Sequence, residues 1–281
     1  MALLFPGQGS QTADMRDVVT EVSPDLVERA ARAVGEDPFD RVGDGTQFAQ
    51  PALYCASVAL WIRAGSPGAD FIAGHSLGEV GALVAGGSLS LEDGLWLAAR
   101  RGRVMQEVSA TCPVGGMLAL LGDEETSRRI ATAHDLTVAN DNAPGQLVVS
   151  GPKDDLDAAA GEAKSERLKA MPLAVSGAFH TEAMAPALPE FRAALEEIDV
   201  QAPRIPVFSS ITAEPFDDVR SELAEALVRP VRWRETLLAL RNRGAERFVE
   251  VGPGKVLKGL VRRTLPDAEA TTLAAREVAH A

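Results

Sequence analysis

Cysteine is scarce in this chain, with only Cys55 and Cys112 in 281 residues. Two cysteines at that spacing exclude a disulfide framework and match no metal-binding pattern, so both read as buried small residues. No charge-free apolar run approaches the roughly 18 residues a membrane span requires. A basic leader is also missing, because Met1-Ala2-Leu3-Leu4-Phe5 runs straight into Pro6-Gly7. A signal peptide is therefore not expected, and a cytoplasmic location is. Positive charge is short: 28 basic residues against 40 acidic ones give a formal charge of -12, which argues against nucleic-acid binding by the surface at large. Histidine is scarcer still. His75, His134, His180 and His280 are the only four, so chemistry that needs an imidazole has few candidates.

What remains is ordinary for a globular protein, 46% hydrophobic and 24% charged, and long enough for one large domain or one domain carrying an insertion. Ala2 to Phe5 reads as a short buried strand entering the turn Pro6-Gly7-Gln8-Gly9-Ser10-Gln11. Helical patterns follow at 14–34, 51–64 and 91–108. Between 116 and 177 the pattern changes: strand Met117–Leu121, helix Asp123–His134, strands Leu136–Asn140 and Gln146–Ser150, helix Asp154–Leu168, strand Met171–Val175. The order βαββαβ is the ferredoxin-like arrangement, and about 60 residues suffice for it. Afterwards come helical stretches at 181–198, 217–228 and 233–243, strands at 205–210 and 247–251, and a last helix after Gly252-Pro253-Gly254. Strands alternating with helices at both ends predict an α/β fold with a mostly parallel sheet.

The stretch Gly74-His75-Ser76-Leu77-Gly78-Glu79 joins the strand Phe71-Ile72-Ala73 to a helix whose apolar spacing is Leu77, Val80, Val84. A strand turning directly into a helix crowds the corner residue, and glycines two before and two after let the backbones pass. Ser76 at that corner is a candidate nucleophile. The N–H of Leu77, at a helix N-terminus, is a candidate oxyanion donor. Glu79, in the helix's first turn, suits the dipole and reads as structural.

A serine needs a neighbouring base, usually histidine. His75 adjoins Ser76, but adjacent side chains diverge in an extended segment, which leaves His75 a packing role. His134 ends a helix, where its charge favours the dipole. His280 lies one residue from the chain end. His180, in Ser176-Gly177-Ala178-Phe179-His180 at a helix start, is the candidate base, kept neutral by the positive helix end. No aspartate stands out as an orienting partner, so a backbone carbonyl is expected to take that part.

Seven segments then occur in one order: Pro6 to Gln11, Gln50-Pro51-Ala52, Gly74 to Glu79, Arg101-Gly102 with Met105-Gln106, Gly177-Ala178-Phe179-His180, Pro230-Val231-Arg232-Trp233, and Glu250-Val251-Gly252-Pro253-Gly254. This set resembles the malonyl-CoA:acyl carrier protein transacylases and is similar to the acyltransferase domains of polyketide synthases. The resemblance implies an α/β-hydrolase-like domain at 1–115 and 178–281 with a ferredoxin-like insertion at 116–177. It implies that Ser76 attacks a malonyl thioester, that His180 is the base, and that the N–H groups of Gln8 and Leu77 form the oxyanion hole. Arg101 is implied to bind the malonyl carboxylate, a task suited to a planar guanidinium. Phe179 is implied to fill the space a 2-methyl branch needs, and Asn142 and Gln146 to line the cleft. The histidine-orienting carbonyl is matched to Ala226, where the family often has glutamine, and Arg229 stands where asparagine is usual. Malonyl-CoA is the implied substrate, no bound cofactor or metal is expected, and the implied partner is an acyl carrier protein. Carrier proteins are typically acidic, which gives a use to the ten basic residues against three acidic ones between Arg229 and Arg263; the plainer reading of that segment is a solvated, salt-bridged helix face. A discrete acyltransferase of a polyketide or malonate decarboxylase pathway, a serine acyl hydrolase and a non-catalytic docking module are the alternatives.

Overall fold

The computed structural model describes residues 1–111, 115–175 and 177–273; Cys112, Ser176 and His280 lie outside them. In chain order, β1 (Ala2–Phe5) precedes α1 (Met15–Val22), α2 (Pro24–Val34) and α3 (Thr46–Arg63), then β2 (Phe71–Gly74), α4 (Gly78–Ala85) and α5 (Leu91–Thr111). Next come β3 (Gly115–Leu121), α6 (Glu124–Ala133), β4 (Thr137–Ala143), β5 (Gln146–Pro152), α7 (Lys153–Ser165) and β6 (Lys169–Pro172). A 3-10 turn, Glu182–Ala187, leads into α8 (Leu188–Glu196), β7 (Val207–Phe208), α9 (Val219–Glu225) and α10 (Trp233–Asn242). The last elements are β8 (Arg247–Glu250), α11 (Val256–Thr264) and β9 (Glu269–Thr272).

Two sheets result. One is wholly parallel in the order β7-β2-β1-β8-β9, the other antiparallel in the order β4-β5-β3-β6. Strand β1 shows why the parallel sheet is covered on both sides. Its four residues are all buried; Leu3 and Phe5 enter the core that holds α1, α3 and α4, while Ala2 and Leu4 enter a second core with Trp233, Leu237 and Leu257. Alternation of side chains on an apolar strand fills two layers at once. A third core, with Leu118, Leu120, Ile130, Val149 and Leu156, seals α6 and α7 onto the antiparallel sheet.

Several expected boundaries move. The expected 14–34 helix is two, because Pro24 opens α2 at its first position, where a missing N–H costs nothing. Helix α3 begins at Thr46, five residues before Pro51, which therefore lies inside it; its first turn is held from afar by Gln106 Oε1, which accepts from the Thr46 N–H at 3.0 Å. Strand β6 ends at Pro172 rather than Val175, and Leu173 to Val175 instead line the cleft between the two sheets. The strand expected to end at Asn140 continues with bulges to Ala143. The stretch expected to be helical at 181–198 starts as the 3-10 turn. Strand β9, short and polar (Glu-Ala-Thr-Thr), carries no periodic signal and joins the parallel sheet at its edge.

In the parallel sheet Phe5 is in register with Gly74, so β1 and β2 release their following loops side by side at the carboxyl edge, where α/β sheets place ligands.

Candidate active site

The serine corner is tight. Ser76 takes the left-handed conformation, φ 54°, a strained state for a side-chain-bearing residue. Its flanking glycines are required by contact: a Cβ on Gly74 would stand 2.1 Å from the Glu79 nitrogen, and one on Gly78 would stand 2.0 Å from the Phe5 carbonyl oxygen. Gly7 on the neighbouring loop passes just as closely, its added Cβ 2.5 Å from the His75 carbonyl oxygen. The loop carrying Gln8 is thereby pressed against the corner carrying Leu77. Among the described residues neither the Gln8 nor the Leu77 N–H is engaged in a hydrogen bond, so two donors stay unspent beside Ser76.

His180 is also left-handed, φ 61°, and 4% exposed. Its Nδ1 is 2.8 Å from the Ala226 carbonyl oxygen. A carbonyl only accepts, so Nδ1 carries the proton and Nε2 presents a lone pair. That lone pair faces Ser76 Oγ at 2.9 Å, and the hydroxyl donates to it. Burial, then the nearby Arg101 charge, pushes the His180 pKa down from 6.5 to about 3. The imidazole is neutral at physiological pH and free to accept a proton.

Arg101, on α5, is 3% exposed. Its Nη2 donates to Ser76 Oγ at 3.2 Å and its Nη1 to Gln50 Oε1 at 2.9 Å. No carboxylate lies within ion-pair distance of it among the described residues. Glu79, the acidic group whose charge it feels, is itself 1% exposed, accepts from the Ser210 N–H at 2.6 Å, and is pushed up to about 7 by burial. Burial lowers Arg101 to about 10, which leaves it cationic. A buried cation without a counter-ion is costly to keep, and guanidinium donors remain beyond the two in use.

Gln50 stands out in the sequence only as part of a segment, yet it anchors this arrangement. Its Nε2 donates to Thr46 Oγ1 at 2.9 Å, and Thr46 Oγ1 donates to Gln8 Oε1 at 2.5 Å. One chain of hydrogen bonds thus links Gln8, Thr46, Gln50, Arg101, Ser76, His180 and Ala226. The available signal was a glutamine four residues after a threonine in a largely apolar helix.

Two cavities, of about 500 and 320 Å³, meet at Gln8, Gln11 and Leu173 to Val175. Phe179, 4% exposed, lines the first; Asn142 and Gln146 line the second, with His75, Asn140 and Leu260. His75 does more than pack. Its Nε2 is 2.8 Å from Asn142 Oδ1, and its ring meets Trp233 edge-on with centroids 5.2 Å apart. His134, at the end of α6, pairs with Glu162 away from the cleft. Cys55 is buried and free, as expected.

Half of the basic segment is salt-bridged. Arg229, Arg232, Arg234, Arg243 and Arg247 pair with carboxylates. Lys255, Lys258, Arg262 and Arg263 carry no ion pair among the described residues, and they sit on or beside α11, whose Val256, Leu257 and Leu260 line the second cavity. Among the described residues no cluster of three or more His, Cys, Asp or Glu could hold a metal, and no helix is long and apolar enough to cross a membrane.

An acyl transferase domain model matches residues 2–278. The chain is 37% identical to the polyketide biosynthesis malonyl CoA-acyl carrier protein transacylase PksC of Bacillus subtilis, over 95% of this chain and 98% of that one. It is 34% identical to the malonyl CoA-acyl carrier protein transacylase of Escherichia coli, over 97% and 95%. A polyketide biosynthesis protein of Burkholderia thailandensis, ThaF, is 40% identical, and there this chain spans 26% of the relative's length. Among solved structures, the malonyl-CoA:acyl carrier protein transacylase of Xanthomonas oryzae superposes with a TM-score of 0.88 at 35% identity, covering 98% and 94% of the two chains. With a serine hydrogen-bonded to a neutral histidine at one sheet edge, and with an acyl transferase domain model matching residues 2–278, the chain belongs to the acyl transferase domain family.

Proposed function

We propose that the chain transfers a malonyl group from malonyl-CoA to the phosphopantetheine thiol of an acyl carrier protein, through a malonyl ester on Ser76, in support of fatty acid or polyketide synthesis. The observation that carries this reading is the buried Arg101 guanidinium, 3.2 Å from Ser76 Oγ and without an ion-pair partner among the described residues. An acyl group ending in a carboxylate satisfies that cation; an acyl group ending in a methyl leaves it unpaired.

The chemistry follows from the geometry. Neutral His180 takes the Ser76 proton through Nε2 as Oγ attacks the thioester carbonyl, and the Gln8 and Leu77 N–H groups face the oxyanion. As the tetrahedral adduct collapses, the C–S bond breaks and the coenzyme A thiolate takes the proton from His180. The carrier thiol then gives its proton to His180, attacks the ester, and releases Ser76 reprotonated. One thioester is exchanged for another, so neither step calls for a metal or nucleotide. Phe179 on the cavity wall narrows the space beside the malonyl methylene, which disfavours a 2-methyl branch by about 1–3 kcal/mol.

An α/β-hydrolase-like unit at 1–115 and 178–281 accords with the parallel sheet and its serine corner. A ferredoxin-like insertion at 116–177 accords with the strand order β4-β5-β3-β6. The cytoplasm is the proposed location. The unpaired basic residues of α11 are the proposed contact for an acidic carrier protein, since they border the cavity its pantetheine arm must enter.

Incubation with malonyl-CoA labelled in the malonyl group, with and without holo carrier protein, tests the reading. Label is expected on Ser76, chased onto the carrier, and absent from Ser76→Ala. Label on Ser76→Ala would refute the nucleophile; label released to water instead of the carrier would make the protein a hydrolase. Lys258→Glu combined with Arg262→Glu is expected to slow transfer to the carrier about tenfold while acylation by phosphate-free malonyl-pantetheine is unchanged; equal rates for wild type and variant would remove α11 from docking. Because His180 is held down to about 3, it stays a competent base until the pH falls that far. Ser76 acylation is accordingly expected to vary by less than about twofold between pH 7 and pH 5. An acid limb centred near 6.5 would contradict the neutral-base account.

A further inference from the structure

Behind the cleft, a four-membered charge cluster joins the two sheets. Glu124 on α6 accepts from Arg128 Nη2 at 2.9 Å and from Arg234 Nη1 at 2.7 Å. Asp141 Oδ2, on β4, accepts from Arg128 Nη2 and from Arg234 Nη2, both at 2.8 Å. Glu124, Arg128 and Asp141 belong to the antiparallel unit. Arg234 lies in the first turn of α10, which packs on the parallel sheet, and it is the cluster's one member from that side. The Asp141 side chain is 13% exposed and that of Arg234 24%, so water screens this pair less than the exposed ion pairs elsewhere on the surface.

The placement of Asp141 is what ties the cluster to the cleft. Successive residues of a strand point to opposite faces, and here Asn140 and Asn142 line the cavity while Asp141 turns back to the two arginines. The same stretch is bound across the gap by backbone: the Asp141 N–H donates to the Val231 carbonyl at 2.9 Å, and the Val231 N–H to the Ala139 carbonyl at 2.8 Å. Asn142 holds His75, the residue before Ser76, and His75 packs on Trp233, the residue before Arg234. The contacts close a ring: Arg234, Asp141, Asn142, His75, Trp233. Asn140 Oδ1, like Asp141 Oδ1, is buried with no hydrogen-bond partner among the described residues.

We propose that Arg234 and Asp141 form a clasp between the two sheet units that positions Asn140 and Asn142 against the Ser76 corner, and so governs how firmly the amide-bearing pantetheine arm of a thioester is held. This rests on the acyl-transfer reading above. Arg234 is a positioning residue, since it touches neither Ser76 nor the cavity.

Two measurements on the full chain test it. Hydrogen exchange reads the clasp itself: in Arg234→Met the Asp141 and Val231 amides are expected to exchange at least about tenfold faster, with the Leu118 and Leu120 amides of β3 unchanged. Steady-state kinetics read its use: the KM for malonyl-CoA is expected to rise about five- to tenfold in Arg234→Met and in the isosteric Asp141→Asn, with kcat within about twofold of wild type and Arg234→Lys in between. Unchanged exchange would refute the clasp. Faster exchange with an unchanged KM, or a fall in kcat at constant KM, would refute its role in holding substrate. If Arg234→Met does not fold, Asp141→Asn and Arg234→Lys decide the matter alone. A wild-type protein that malonyl-CoA fails to acylate would overturn the acyl-transfer reading, while the exchange data would still judge the clasp.

Discussion

A buried guanidinium with no carboxylate in ion-pair distance among the described residues is the constraint around which this site is built. Arg101 is held by two neutral oxygens, Gln50 Oε1 and Ser76 Oγ, and its charge is felt by both titratable neighbours. It opposes protonation of His180 and favours ionisation of Glu79. Burial therefore does two jobs through one cause. It keeps the imidazole a neutral base, and it makes the arginine an unsatisfied partner for an incoming carboxylate. A carboxylate seated on Arg101 cancels the charge that depresses His180, so an occupied site holds a stronger base than an empty one.

The fold supplies the rigidity this demands. Both Ser76 and His180 hold left-handed backbone conformations, which persist only where surroundings over-determine them. For Ser76 the surroundings are Gly74, Gly78 and Gly7, each so close to a neighbouring backbone that no side chain fits. For His180 they include the Ala226 carbonyl, reached across 46 residues. The parallel sheet sets the first group in register, and the antiparallel unit closes the cleft over it through Asn142 and the Arg234 cluster.

What the chain made legible was local or categorical. The serine corner announced itself because the glycines that permit it are adjacent in sequence and because its strand and helix have clean periodicities. His180 followed by elimination among four histidines, and the Ala226 carbonyl from the family pattern; the geometry places that oxygen 2.8 Å from Nδ1. Arg101 was different. As a residue it was one arginine among three on a helix, and only the resemblance to known transacylases singled it out, because burial without a counter-ion is a tertiary fact. Gln50 escaped for the same reason, as did the first turn of α3, which depends on Gln106 sixty residues away. The basic segment misled in the opposite way. Its charges are real, but half are answered by Glu225, Glu235, Glu124, Asp141, Glu214 and Glu269, and sequence order does not reveal which.

The most direct test of the central claim is single-turnover acylation of Ser76 by malonyl-CoA and by acetyl-CoA, in the wild type and in Arg101→Ala. If Arg101 is a partner for the acyl carboxylate, wild type strongly prefers malonyl, and the substitution lowers kcat/KM for malonyl about 100-fold or more while acetyl changes by less than about tenfold. Equal losses on the two substrates would mean that Arg101 only props up the serine corner, and would contradict its role as the partner of the substrate carboxylate.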